Sequence, residues 1–192
     1  GLTKGQASPT SERGMKTKSS PAGTVEAPFN PLALALGAGA TFVARSVDVY
    51  ANHLKTVLQA AAKHEGSAFI EILQNCPVFN PGAWESWTDT SVRSDRLLEL
   101  RHGEPLVFGD PPRRGIGLTG LVARVVEFEG DPPPELLTWD ETADDPGAAY
   151  LAARLGDRDG FPLPIGIFRR VAAPTFESSI HEQIAEDTRR RG

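Results

Sequence analysis

Sulfur is scarce in this chain, with one cysteine and one methionine among 192 residues. A single cysteine excludes an internal disulfide framework and fits a reducing cytoplasm. No run of about 18 apolar residues occurs, so no membrane-spanning helix is expected. The first segment lacks the basic-then-apolar order of a secretory signal. Positive charge is not in excess: the net charge of -5 argues against a general nucleic-acid binder, which carries a basic face. The closing Arg189-Arg190-Arg191 reads as a solvated helix end. The chain does not open on methionine, and Met15 lies inside a polar loop. Gly1 is therefore expected to be an internal position of a longer product. The histidines His53, His64, His102 and His181 are dispersed, with no HExxH, which argues against zinc. There is no GxSxG elbow for a serine hydrolase.

What is present suits a globular protein. With 40% apolar and 23% charged residues, the chain has enough apolar content to build a core and is not expected to be disordered. Residues 1–28 are rich in Gly, Ser, Thr, Lys and Pro without an apolar period, and long loops in compact domains are usually functional. NPLALALGAGA then reads as a short helix, with Asn30 as N-cap and Pro31 at its first position. TFVAR (41–45) reads as a buried strand. Tyr50, Leu54, Val57, Leu58 and Ala61 recur at helical spacing, and Gly66 is a stop. His53 and His64 are expected to decorate the exposed face of that helix. SAFIEILQ (67–74) is a second strand, so residues 41–74 describe a right-handed βαβ crossover in a parallel sheet. The fold class is α/β. Further strands are expected at 104–109, 121–130 and LPIGIFRRV, with a basic glycine-rich connection between the first two. DDPGAAYLAARLG reads as a short helix. FESSIHEQIAEDTRRR reads as an amphipathic one carrying Ile180 and Ile184 on one face.

Three features bear on chemistry. Gly115-Ile116-Gly117-Leu118-Thr119-Gly120 matches GxGxxG by letter, but that fingerprint needs a preceding strand and a following helix. Here PPRR precedes and a strand-like run follows, so it is rejected. Cys76, in ILQNCPVFN, lies just past the C-terminal end of a parallel strand, where ligand sites of open α/β sheets cluster. A lone cysteine is by default a small buried hydrophobe. A thiolate at this position is instead suited to completing a metal cluster whose other cysteines come from elsewhere. In the opening GLTKGQASPTS, a glycine-bearing turn with a Thr hydroxyl can bind phosphate oxygens, and Lys4 adds a cation able to pair with a carboxylate.

GLTKGQASPTS, NPLALALGAGATFVARS, FIEILQNCPVFN and LRHGEPLVFG together resemble the β subunit of 2-oxoacid:ferredoxin oxidoreductases, above all the 2-oxoglutarate-using members. The resemblance is dense to about residue 118 and looser beyond. It implies the C-terminal portion of a thiamine-diphosphate-binding domain over 1–115 and a less regular extension, suited to subunit contact, over 116–192. Gly1, Leu2 and Thr3 match the loop that contacts the diphosphate and the shell of its Mg²⁺. Lys4 matches the position that meets the distal carboxylate of 2-oxoglutarate, a group pyruvate lacks. Cys76 matches a ligand of a [4Fe–4S] cluster.

The family's Asp motif, its Asn-Asn-x-Ile-Tyr segment and its CxxC pair are not in these residues and are expected upstream of Gly1. The implied reaction is oxidative decarboxylation of 2-oxoglutarate to succinyl-CoA, with coenzyme A, ferredoxin and an α subunit as partners. No general acid or base is assigned. The alternatives are an enzyme for pyruvate or another 2-oxoacid, and a non-catalytic α/β interaction domain.

Overall fold

The computed structural model describes residues 4–192. Helix α1 (Pro31–Gly37) starts as its sequence requires. The Asn30 side chain accepts from the Ala33 amide at 3.0 Å, and Pro31 occupies the first turn. The same Asn30 donates through Nδ2 to the Ala153 carbonyl at 2.9 Å, which ties α1 to α5 (Gly147–Ala153). Strand β1 (Phe42–Val47), helix α2 (Ala51–Ala62) and strand β2 (Ala68–Leu73) form the expected crossover, with β1 and β2 parallel. β1 is buried along its whole length, as expected for a strand covered on both faces.

Two short helices follow, α3 (Glu85–Thr88) and α4 (Arg93–Arg96), then β3 (Leu97–Leu100) and β4 (Val107–Phe108). Next come β5 (Arg113–Thr119), β6 (Val122–Phe128), β7 (Leu163–Arg170) and the terminal helix α6 (Phe176–Arg191). One sheet has the order β2-β1-β7-β3, and β4-β5-β6 form a second. β7 runs antiparallel to β1 and parallel to β3, so the main sheet is mixed. β7 comes from the segment expected as an extension, yet it lies inside the main sheet, and β5 crosses the expected boundary at 115/116. Leu32, Val43, Leu98, Ile116, Trp139 and Phe168 belong to one buried cluster that joins both sheets. Burying one such side chain contributes about 1.5–3 kcal/mol.

The basic connection at 110–120 is largely strand β5. Its glycines disguise it, and the packing explains them. A Cβ on Gly115 would meet Leu136 Cδ1 and the Leu106 carbonyl, and one on Gly117 would lie 3.2 Å from the Glu135 carbonyl. The segment through Leu136 and Leu137 crosses against β5, with the Leu137 amide bonded to Ile116 O at 2.8 Å. These two glycines let the segment through Glu135 and Leu136 approach the backbone of β5 closely.

His53 and His64 do not decorate an exposed face. His53 shares with Val57 and Ala61 the face of α2 turned to the sheet, and His64 lies just past the helix end and its C-cap Lys63. His53 Nδ1 lies 2.8 Å from Oγ of the fully buried Ser46, and His64 Nε2 lies 2.8 Å from Thr41 Oγ1. Burial pushes both imidazole pKa values down; Glu99 opposes this at His53, and Arg170 reinforces it at His64.

Gly166, in the middle of β7, has φ of +114°, and an added Cβ would stand 2.9 Å from the Leu100 carbonyl. Gly166→Ala is expected to cost about 2–3 kcal/mol through backbone strain and overpacking. Denaturant unfolding checks this, and an unchanged midpoint would mean that β7 can move away from β3.

Candidate functional site

The chain leaves β2 at Leu73 and enters a turn whose anchors are all polar. Asp48, just past the end of β1, accepts the Asn75 amide at 3.3 Å. The Asn75 side chain accepts the Ala83 amide at 3.3 Å, and Trp84 Nε1 donates to the Gln74 carbonyl at 3.3 Å. The Asn80 amide closes the turn on the Cys76 carbonyl at 2.9 Å. Cys76 is half-buried and forms no disulfide. The backbone amides of Phe79 and Val78, with a smaller contribution from Asn80, hold its thiol below the usual pKa range. Converging N–H donors stabilise a thiolate, the form in which cysteine ligates metal.

The opening loop folds onto this turn. Lys4 and Gly5 are successive left-handed residues, with φ of +65° and +73°. For lysine this conformation costs roughly 1–2 kcal/mol. Gly5 is required on two counts, since an added Cβ would also lie 2.9 Å from Cδ1 of Phe79. Phe79 thus stacks on the turn that carries Lys4, while its own amide points at Cys76. A cleft of about 490 Å³ opens there, lined among others by Gln6, Ser8, Thr10, Cys76 and Trp84. The Ser8 and Thr10 hydroxyls and the Cys76 thiol line the same space.

Of the residues singled out by sequence, Lys4 and Cys76 are brought to two neighbouring clefts that share Gly5 and Phe79. Gly1, Leu2 and Thr3 lie outside the described residues. Among the described residues no group of three or more His, Cys, Asp or Glu side chains gathers as a metal site. No local motif marks Phe79 and Asp48, whose partners Gly5 and Asn75 are distant in the chain, or Asn75, whose side chain holds the Ala83 amide eight residues on. The signal nearest to hand was the pair of asparagines flanking Cys76, Asn75 and Asn80, both suited to turns.

Residues 1–72 match the family described as thiamine pyrophosphate enzyme, C-terminal TPP binding domain. The chain is 42% identical over 184 residues to the 2-oxoglutarate oxidoreductase subunit KorB of Mycobacterium tuberculosis, covering 96% of this chain and 49% of that protein. It is 31% identical over 188 residues to the 2-oxoacid:ferredoxin oxidoreductase 2 subunit beta of Aeropyrum pernix, covering 91% of this chain and 60% of that one. A solved 2-oxoglutarate:ferredoxin oxidoreductase from Magnetococcus marinus, with 2-oxoglutarate, coenzyme A and succinyl-CoA bound, superposes with a TM-score of 0.63. Sequence identity there is 26%, covering 96% of this chain and 48% of that one. The chain spans about half the length of the first of these relatives. No helix among the described residues is long and apolar enough to cross a membrane. By its sequence and its fold, the chain belongs to the β-subunit family of the 2-oxoacid:ferredoxin oxidoreductases.

Proposed function

We propose that this chain serves a 2-oxoglutarate:ferredoxin oxidoreductase, as part of the β subunit that works with an α subunit, coenzyme A and ferredoxin in the cytoplasm. The observation that carries the reading is the contact of Phe79 with Gly5, which sets the Lys4 turn against the Cys76 turn. A lysine suited to a carboxylate and a cysteine suited to a cluster thereby line neighbouring clefts.

Thiamine diphosphate supplies, when bound, the chemistry that cleaves the bond beside the 2-oxo group, and an iron–sulfur cluster the single-electron relay. The residues fit these groups in part. Cys76, with amides converging on its sulfur, suits one ligand position of a [4Fe–4S] cluster. The hydroxyls of Ser8 and Thr10 suit anionic oxygens in the cleft beside Cys76. Gly1, Leu2 and Thr3 are proposed to meet the diphosphate. Mg²⁺ finds no carboxylate set among the described residues, and no step is assigned to it. Lys4 is proposed to pair with the distal carboxylate of 2-oxoglutarate and to orient its 2-oxo end. Proximity and orientation are the contribution of such a residue.

The test is substrate discrimination by the complete enzyme. Lys4→Ala is expected to lower kcat/KM for 2-oxoglutarate by about 100-fold, the loss of one charge-assisted pair in a partly desolvated site. Turnover of pyruvate should fall far less. Equal losses on both substrates would remove Lys4 from specificity and favour an enzyme for another 2-oxoacid.

A further inference from the structure

The loop 14–24 of the opening segment is a built structure closed on itself. Its neck is closed by the Gly14 amide on Thr24 O at 2.8 Å and the Thr24 amide on Met15 O at 3.1 Å. Gly23 packs so closely on Gly14 that a Cβ would stand 2.8 Å from the Gly14 carbonyl. Across the tip, Thr17 and Ser20 exchange backbone bonds at 3.2 and 3.1 Å. Ser19 Oγ accepts the Ala7 amide at 3.1 Å, which folds the tip back over the opening turn. Compact surface loops tied at the neck are frequently functional.

This fold puts Lys16 and Lys18 beside Lys4. The three lysines line one cleft of about 490 Å³ with Pro21, Val78 and Phe79. Among the described residues no acidic side chain lines it, and none of the three lysines is in an ion pair. Like charges gathered without a counter-charge repel one another, and a multiply charged anion relieves that repulsion. Lysines are point-charge partners for phosphate, and the apolar wall suits an organic body more than a bare inorganic ion.

We propose that Lys16 and Lys18 seat the phosphates of the acyl-accepting thiol, a ligand of the coenzyme A class, in the cleft whose third lysine, Lys4, meets the substrate. The inference rests on the reading of the chain as a coenzyme A-dependent oxidoreductase and adds the residues that hold the acceptor. Both lysines are exposed, so replacing them leaves the core intact.

The experiment replaces both, as Lys16→Gln with Lys18→Gln, in the complete enzyme. The KM for coenzyme A should rise about tenfold, about 1.4 kcal/mol for the loss of two screened surface contacts together. The KM for 2-oxoglutarate and the thiamine diphosphate concentration for half-maximal activity should stay unchanged. Pantetheine carries the same thiol without the nucleotide phosphates, and its KM should be equal in parent and variant. Lys16→Arg with Lys18→Arg should restore the parental coenzyme A value. Calorimetric titration of coenzyme A should show the same tenfold weakening without turnover. An unchanged coenzyme A affinity, or a shift in the 2-oxoglutarate or thiamine diphosphate requirement instead, overturns the assignment. Failure of the parent enzyme to turn over 2-oxoglutarate would overturn the functional reading itself, and the calorimetric arm separates the two.

Discussion

Cys76→Ser in the complete enzyme is expected to abolish the iron–sulfur absorption and lower ferredoxin-linked turnover by more than about 100-fold. Replacing a partner that merely orients a metal ligand already costs on the order of 10–100-fold, and Cys76 is proposed as a ligand itself. The substitution is nearly isosteric, and the backbone bonds that close the turn do not involve the side chain. The turn should therefore keep its shape while losing its soft donor. A serine hydroxyl stays protonated where a thiol ionises, and it is a poor ligand for iron–sulfur clusters. The measurement is iron and acid-labile sulfide per protein, beside the visible spectrum. Unchanged iron content with a normal spectrum would remove Cys76 from the cluster and return it to the role of a small packing residue.

Breaking the Arg45–Glu71 pair carries the second large effect. Arg45 on β1 and Glu71 on β2 are direct partners in the parallel register, with Nε 2.6 Å from Oε2. Their side chains are only 7% and 17% exposed, which makes this the most buried ion pair among the described residues. The guanidinium also reaches the Pro164 carbonyl at 3.4 Å and lies 5.8 Å over the Phe168 ring. Along β1, Val43 and Val47 share its face by strand alternation and belong to two separate apolar clusters, with Arg45 between them. Glu71→Gln leaves a buried guanidinium without its counter-charge and is expected to cost about 3–5 kcal/mol. For a chain of this size that lowers Tm by roughly 6–20 °C. Replacing both partners, as Arg45→Met with Glu71→Leu, should recover most of the loss, because apolar residues of similar volume carry no desolvation penalty. A single variant that melts like the parent would show that water reaches the pair and screens it.

The parts of this protein legible in its sequence are those decided within a few turns of chain. Asn30-Pro31 announced α1 because a cap acts on an amide three residues away. The apolar period of α2 between two short apolar runs announced the crossover, since β1 and β2 are successive strands and pair directly. Lys4 and Cys76 stood out through the motifs that surround them. Where the local pattern and the packing demanded different residues, the pattern misled. Gly115 and Gly117 read as a connection because their need for close approach comes from Leu136 and Glu135, some twenty residues on. His53 and His64 read as surface because their partners, Ser46 in β1 and Thr41 just before it, come from earlier in the chain.

By itself, then, the sequence determined the crossover, the cap that starts α1, and the two residues with distinctive side-chain chemistry. Their signals are periodicity, capping and side-chain type, all carried by neighbours in the chain. Tertiary structure alone decided that β7 enters the main sheet beside β1, and that Phe79 seals the Lys4 turn onto the Cys76 turn. It also decided that loop 14–24 turns its lysines toward Lys4. Each of these depends on closing a long loop to reach a specific contact, and no local pattern records which distant contact repays that entropy.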